Sequence, residues 1–358
     1  MKFLIATALL LTSTCLASAQ TAPDEAVLTA AKAEGKVVLY APIDAPAMRP
    51  LIEDFNAVYP DIEIEFTDMQ TTVLYNRYLS EMAAGAPSAD IIWNTPMDLQ
   101  FKLIQDGYAQ EYASRENATL PEWANWQNKL YAVTLDPGVF VYNKAELTGD
   151  SIPKSHADLV RILETSPDTF EGRIVSYDIE KAAGGFMMAL QDSIHFPDFW
   201  KIPKLFGTVN AQFPSGSGFM IETVGSGENI FGYNQLGSAA HKGVVANTNL
   251  GIVYPSDYIV LQSRTAFISK AAPNPNSAKL LLDYLLSTRA QQIIADKNIA
   301  YAVRPEIQGA LTLSTLEKEV GAAAIKPVRM GPELLDYLDP AKRTEFLQRW
   351  QQELRGGQ

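Results

Sequence analysis

The chain has 358 residues, too many for one small core and about right for two lobes. Hydrophobic residues make up 47% and charged residues 20%, a balance foreign to disordered tails and coiled coils. There are 29 Lys and Arg against 41 Asp and Glu; the net charge of −12 argues against a nucleic-acid partner and gives anionic membrane surfaces little to attract.

Residues 1–19 read as a signal peptide. Lys2 is the positive n-region, Phe3 to Leu11 the apolar core, and Ala17-Ser18-Ala19 the small-residue site, with cleavage expected before Gln20. The apolar run is short for a membrane anchor, and Thr12-Ser13-Thr14 before Cys15 makes a poor lipid-attachment box. Cleavage removes the single cysteine, so thiol catalysis and thiolate metal sites are excluded from the mature chain.

From residue 36 strands and helices alternate. Val37 to Tyr40 reads as a strand; Leu51, Phe55 and Val58 mark one helical face. Ile62, Ile64 and Phe66 follow strand period, Leu74, Tyr78 and Met82 helical period, and Ala89 to Trp93 forms a third strand. Thr95-Pro96 then places a hydroxyl at the cap of the next helix and proline at its first position. Such alternation predicts a parallel sheet with right-handed crossovers, whose loops at 41–46, 67–71 and 94–96 converge on one ligand-binding edge.

A second unit is expected after Asp136-Pro137-Gly138. It holds strands at Val139 to Tyr142, Gly172 to Asp178 and Ile230 to Tyr233, with a helix capped by Ser155 and the turn formers Gly184-Gly185 and Ser215-Gly216-Ser217-Gly218. The extended run Gly251 to Leu261 is suited to cross back to the first unit, and an apolar helix follows Pro273-Asn274-Pro275-Asn276. The expected division is a first lobe at 20–136 and 256–300, a second at 137–255, and C-terminal helices at 301–358 packing across both. The fold class is α/β, each lobe a mostly parallel sheet flanked by helices, the two joined by crossing strands.

Catalytic signatures are missing. His156, His195 and His241 stand apart with no metal-ligand spacing, and each is expected at a surface or helix cap. There is no nucleophile elbow, phosphate loop or dinucleotide fingerprint. The reading is a non-enzyme with no cofactor and no metal. Features suited to ligand binding are donors at Thr95 and Gly184-Gly185, where backbone N–H groups can meet an anion, and hydroxyls at Ser215 and Ser217. Tyr40, Tyr233 and Tyr254 are candidates to wall an organic group; Asn94, Asn234 and Glu228 are candidates to select its hydroxyls or amines. Ordinary structural roles compete for each: an N-cap at Thr95, close packing at the glycines, half-buried core positions for the tyrosines.

The order of Val37-Val38-Leu39-Tyr40, Ala89-Asp90-Ile91-Ile92-Trp93, Val139-Phe140-Val141-Tyr142-Asn143-Lys144, Gly172-Arg173-Ile174, Gly227-Glu228 and Pro275-Asn276-Ser277-Ala278-Lys279 resembles periplasmic substrate-binding proteins of ABC importers, in the ferric-iron, sugar-phosphate and phosphonate branch. The resemblance covers nearly the whole mature chain. It implies the type II periplasmic binding fold, hinge closure over a small solute, delivery to an inner-membrane ABC permease, and a monomer in the periplasm.

Where the family's ferric binders carry a tyrosine pair, this chain has Leu236 and Gly237; Thr95 stands at the acidic ligand and Pro42-Ile43-Asp44 at the histidine. The family's Ser-Gly anion anchor reads Ala183-Gly184, keeping the backbone donors. The resemblance therefore implies a small organic anion, a sugar phosphate or phosphonate, with Pro42 among the residues near it. The alternatives are a ferric carrier of the same fold, a co-receptor for a sensor kinase, and a hydrolase using unrecognised carboxylates.

Overall fold

A computed structural model describes residues 23–357; the expected signal peptide lies outside the described residues. The described residues form eleven strands: β1 Lys36–Ala41, β2 Glu63–Asp68, β3 Ile91–Asn94, β4 Asn125–Trp126, β5 Leu130–Asn143, β6 Ile174–Val175, β7 Phe231–Leu236, β8 Leu250–Val253, β9 Ile259–Ile268, β10 Tyr301–Ala302 and β11 Ile325–Pro327. Their order is β2-β1-β3-β9-β5-β7-β6, with β4, β8 and β10 also on β5 and β11 on β9.

The first three strands are parallel, with Val37 beside Ile64 and Leu39 beside Ile91. The helices between them bury alternate turns: Leu51 and Phe55 are fully enclosed on Ala45–Val58, whereas Val58, expected on the same face, is 39% exposed at the helix end. The helix Thr71–Ala84 stops at Gly85, whose φ of 62° suits a residue without a Cβ. Buried Asp90, just before β3, accepts from the Val38 amide at 2.7 Å and the Asn274 amide at 2.6 Å, fastening β1 to the start of the apolar helix Pro275–Leu286.

β9 runs antiparallel to β3, pairing Asn94 with Thr265, so the central strand of the first half comes from late in the chain. β5 is the long connector. Its first part pairs with β9 from Tyr131 to Pro137, and from Gly138 onward it pairs with β7 and β8. Asp136-Pro137-Gly138 is thus not a turn between units but the point within one strand where partners change. Proline, which has no N–H to give a ladder, is tolerated there.

Gly251 to Leu261 is not one continuous strand: β8 ends at Val253, residues 254–258 are irregular, and β9 begins at Ile259. The strand expected over Gly172 to Asp178 contracts to Ile174–Val175, paired with β7. Beyond β11 a 3-10 turn at Pro332–Tyr337 touches the helix Met97–Gln105 of the first half. The last helix, Pro340–Gly356, lies on Lys201–Thr208 of the second half, stacking Phe346 and Trp350 around Phe199.

Candidate functional site

Four helices begin where the two halves meet: Met97–Gln105 after β3, Ala183–His195 after β6, Ser217–Ser226, and Gly237–Ala246 directly after β7. Helix starts carry free N–H groups and the positive end of the helix dipole. β9 joins two of them. The Gln262 side-chain amide donates to the Gly184 carbonyl at 2.7 Å, and the Ser263 amide reaches Met97 Sδ at 3.3 Å. One strand thereby holds the starts of a first-half helix and a second-half helix together.

The glycine pair lies inside the first turn of its helix rather than in a loop ahead of it, with Ala182 at the N-cap. Gly184 leaves room for Gln262, and any side chain at Gly185 would collide with the ring of Tyr177. That close approach seats Tyr177, whose hydroxyl shares a hydrogen bond with Ser217 at the start of the neighbouring helix. Burial pushes the Tyr177 hydroxyl up to about 12, so it keeps its proton at neutral pH.

Asp136, at the changeover in β5, is 4% exposed. Its carboxylate accepts from the Ser238 amide at 2.9 Å and the Ser238 hydroxyl at 2.6 Å, which occupies the start of Gly237–Ala246. Burial raises its pKa, with Arg264, 3.7 Å away, opposing that shift. Tyr254, expected to wall the ligand, shares a 2.9 Å hydrogen bond with Tyr301, tying the link after β8 to β10.

Several expected positions are used elsewhere. Thr95 is not the helix cap: Pro96 is, and Asn94 is buried, its side chain accepting from the Thr95 amide and donating to the Thr71 carbonyl. Thr95 itself remains half-buried at the end of β3. Tyr40 turns onto the helix Thr71–Ala84, its hydroxyl on Glu81 at 3.3 Å and Arg77 over its ring. Pro42 is half-buried in the link after β1. Ser215 is exposed just before the helix Ser217–Ser226. Glu228 is exposed and precedes β7, about 20 Å by strand length from the end that faces the other half.

Tyr233 and Asn234 point inward. A bulge opposite Phe140, with Asn234 at φ 55°, turns both onto Asp192: Tyr233 donates at 2.6 Å and Asn234 at 2.5 Å. Tyr258 donates to the same carboxylate at 2.8 Å. His156, expected at a surface or helix cap, opens the helix His156–Thr165 but is only 2% exposed; its ring stacks on Tyr258 and bonds Asp257 at 2.9 Å. His195 and His241 are half-buried on separate helices. Among the described residues no group of three or more His, Cys, Asp or Glu is placed to hold a metal ion, and no helix is long and apolar enough to cross a membrane.

The residues missed from sequence are Tyr177, Gln262 and the pair Asp136 and Arg264. Their cue, polar side chains within apolar strands at the crossing, was present at Asp136 and at Gln262-Ser263-Arg264.

The model of bacterial extracellular solute-binding proteins matches residues 41–292. The chain belongs to that family. It is similar to the substrate-binding protein of an ABC transporter from Agrobacterium tumefaciens: 38% identity over 89% of this chain and 94% of the other, TM-score 0.79. Two more distant structures share the fold. The periplasmic binding protein AfuA from Actinobacillus pleuropneumoniae, with fructose-6-phosphate bound, is 18% identical over 90% of this chain and 99% of its own, TM-score 0.69. Iron-bound HitA from Pseudomonas aeruginosa is 16% identical over 89% and 99%, TM-score 0.70. No curated protein sequence matches the chain. The architecture is the two-lobed periplasmic binding fold, and the protein is a solute-binding protein.

Proposed function

We propose that this protein captures a small organic anion, a sugar phosphate or phosphonate, between its lobes in the periplasm and delivers it to an ABC permease. The observation that carries the reading is the Gln262 to Gly184 contact, which brings a glycine-rich helix start of one lobe against the crossing strand of the other. Backbone N–H groups at Gly184 and Gly185, with the hydroxyls of Thr95, Ser217 and Tyr177, form a donor-rich edge suited to oxyanions. The substrate-binding relative from Agrobacterium tumefaciens supports the permease, and the fructose-6-phosphate on AfuA shows that the fold accommodates a phosphorylated sugar.

The iron on HitA is cargo that this donor set serves poorly. Fe³⁺ favours phenolate and carboxylate oxygens, while Leu236 and Gly237 offer none and Gly237 packs against Pro137 and Tyr301. A thermal-shift panel tests the proposal. A ligand present at 100 times its Kd stabilises by about 2.7 kcal/mol, a shift of several degrees. Sugar phosphates or phosphonates should raise Tm and neutral sugars should not. A shift with neutral sugars alone, or a visible phenolate-to-iron band on adding Fe³⁺, would overturn the ligand class.

A further inference from the structure

We infer that Arg264 is the charge anchor of the cleft, the side chain that takes the anionic end of the ligand, while Asp136 holds it in position. The inference rests on the organic-anion reading and deepens it. Arg264 sits on β9 with its side chain only 18% exposed. A guanidinium has five N–H donors, and placing one in a partly dry site without acceptors is costly. Yet among the described residues this one makes no hydrogen bond, and its single ionic neighbour, Asp136, lies 3.7 Å away.

A second arginine shows the contrast. Arg304, with a side chain 5% exposed, donates to Glu116 at 2.7 Å, Glu306 at 2.5 Å and the Leu286 carbonyl at 3.1 Å. Arg304 is saturated by the fold, and Arg264 is not. Nor can Asp136 saturate Arg264, because the short contacts to its carboxylate come from the Ser238 amide and hydroxyl.

Placement supplies the rest. Asn94 pairs with Thr265, so the next residue along, Thr95, comes level with Arg264. Gln262, two residues before Arg264 and hence on the same face of β9, reaches the Gly184 carbonyl. Arg264 therefore stands on β9 between the level of the chain entering Met97–Gln105 and the residue that holds the start of Ala183–His195, one from each lobe, with its guanidinium beside Asp136. A planar fork of donors there matches two oxygens of a phosphate ester, phosphonate or carboxylate. Asp136 fixes the lateral position of the fork and disfavours a guest that brings negative charge without matching the fork.

The experiment is titration calorimetry on the wild-type protein, R264K, R264Q and D136N. The probes are glucose-6-phosphate, fructose-6-phosphate, 2-aminoethylphosphonate, inorganic phosphate, citrate and glucose, and circular dichroism and melting of each ligand-free variant serve as folding controls. Where a phosphorus oxyanion or citrate binds the wild type, R264Q should weaken it by about 100-fold and R264K by about 10-fold, the latter keeping charge but losing the fork. D136N, which loses the charge that holds the fork, should weaken the same anion but by less than R264Q does. Phosphorus oxyanions binding while citrate does not, or the reverse, fixes which oxyanion the fork takes. If R264K and R264Q, still folded, bind the anion as the wild type does, the anchor assignment is overturned while the organic-anion reading stands. If glucose alone binds, or no probe does, that reading falls and the anchor with it.

Discussion

Asp192 is 1% exposed and accepts from Tyr233, Asn234 and Tyr258, three side chains on two strands and their approaches. Burial, with the carboxylate beside it, holds the Tyr233 hydroxyl well above its usual range, so it stays a donor. Truncating the acceptor orphans all three donors. D192A should cost about 3–5 kcal/mol, read as a lower urea midpoint with an unchanged slope. Two other carboxylates set the acid limit. The Arg289 hydrogen bond pulls Asp54 below its ordinary value. At Asp257 burial pushes upward, but the His156 ring and the amides of Tyr258 and Ala157 prevail and hold it low. A carboxylate depressed in the folded chain contributes stability above its unfolded pKa of about 3.9 and loses it as pH falls through the native value. D54N and D257N should therefore each flatten the loss of stability below about pH 4 in acid titrations followed by circular dichroism. At this scale sequence reading was weakest: Tyr233 and Asn234 carry the right chemistry for a cleft, but a single bulge residue decides which way they face, and its cue is only one asparagine in a strand.

Elements were far more legible, because helix and strand periods are local. The β1 to β3 units, the Ser155 cap with its 2.9 Å bond to the Asp158 amide, and the buried helix Pro275–Leu286 all follow from patterning within a dozen residues. Pairing that depends on distant chain was not: Asp136-Pro137-Gly138 has turn composition but lies mid-strand because β9 and β7 supply its partners. The seat of the last helix was likewise hidden. Gly207 on Lys201–Thr208 lies so close to the Leu354 carbonyl that even a methyl group would overlap it. G207A should lift Pro340–Gly356, costing about 1–3 kcal/mol and raising hydrogen exchange across residues 340–356. At the cleft, G185A would displace Tyr177 and with it Ser217. We expect it to weaken anion binding by at least about tenfold in the same calorimetric assay, since misplaced donors lose their aim.

For the whole molecule, the closure proposed with ligand capture would act through the links at the junction: the β5 changeover, residues 254–258, the Gln262 to Gly184 contact, and the C-terminal segment from Pro332–Tyr337 to Pro340–Gly356. A bound ligand that touches both lobes favours the shut state by its differential affinity. Small-angle scattering should accordingly show a smaller radius of gyration with a bound anion than without, and Q262A should widen the ligand-free ensemble. The middle of the first lobe raises a separate matter of timing. Ile91, beside Leu39 on one side, gains its neighbour on the other only when Ile268 arrives, and Asp90 needs the amide of Asn274. A chain emerging from its amino end cannot finish that lobe until the whole of the other has been made. High contact order of this kind slows folding, and refolding from urea should show an early phase from residues 138–253 followed by a slower one as the split lobe assembles.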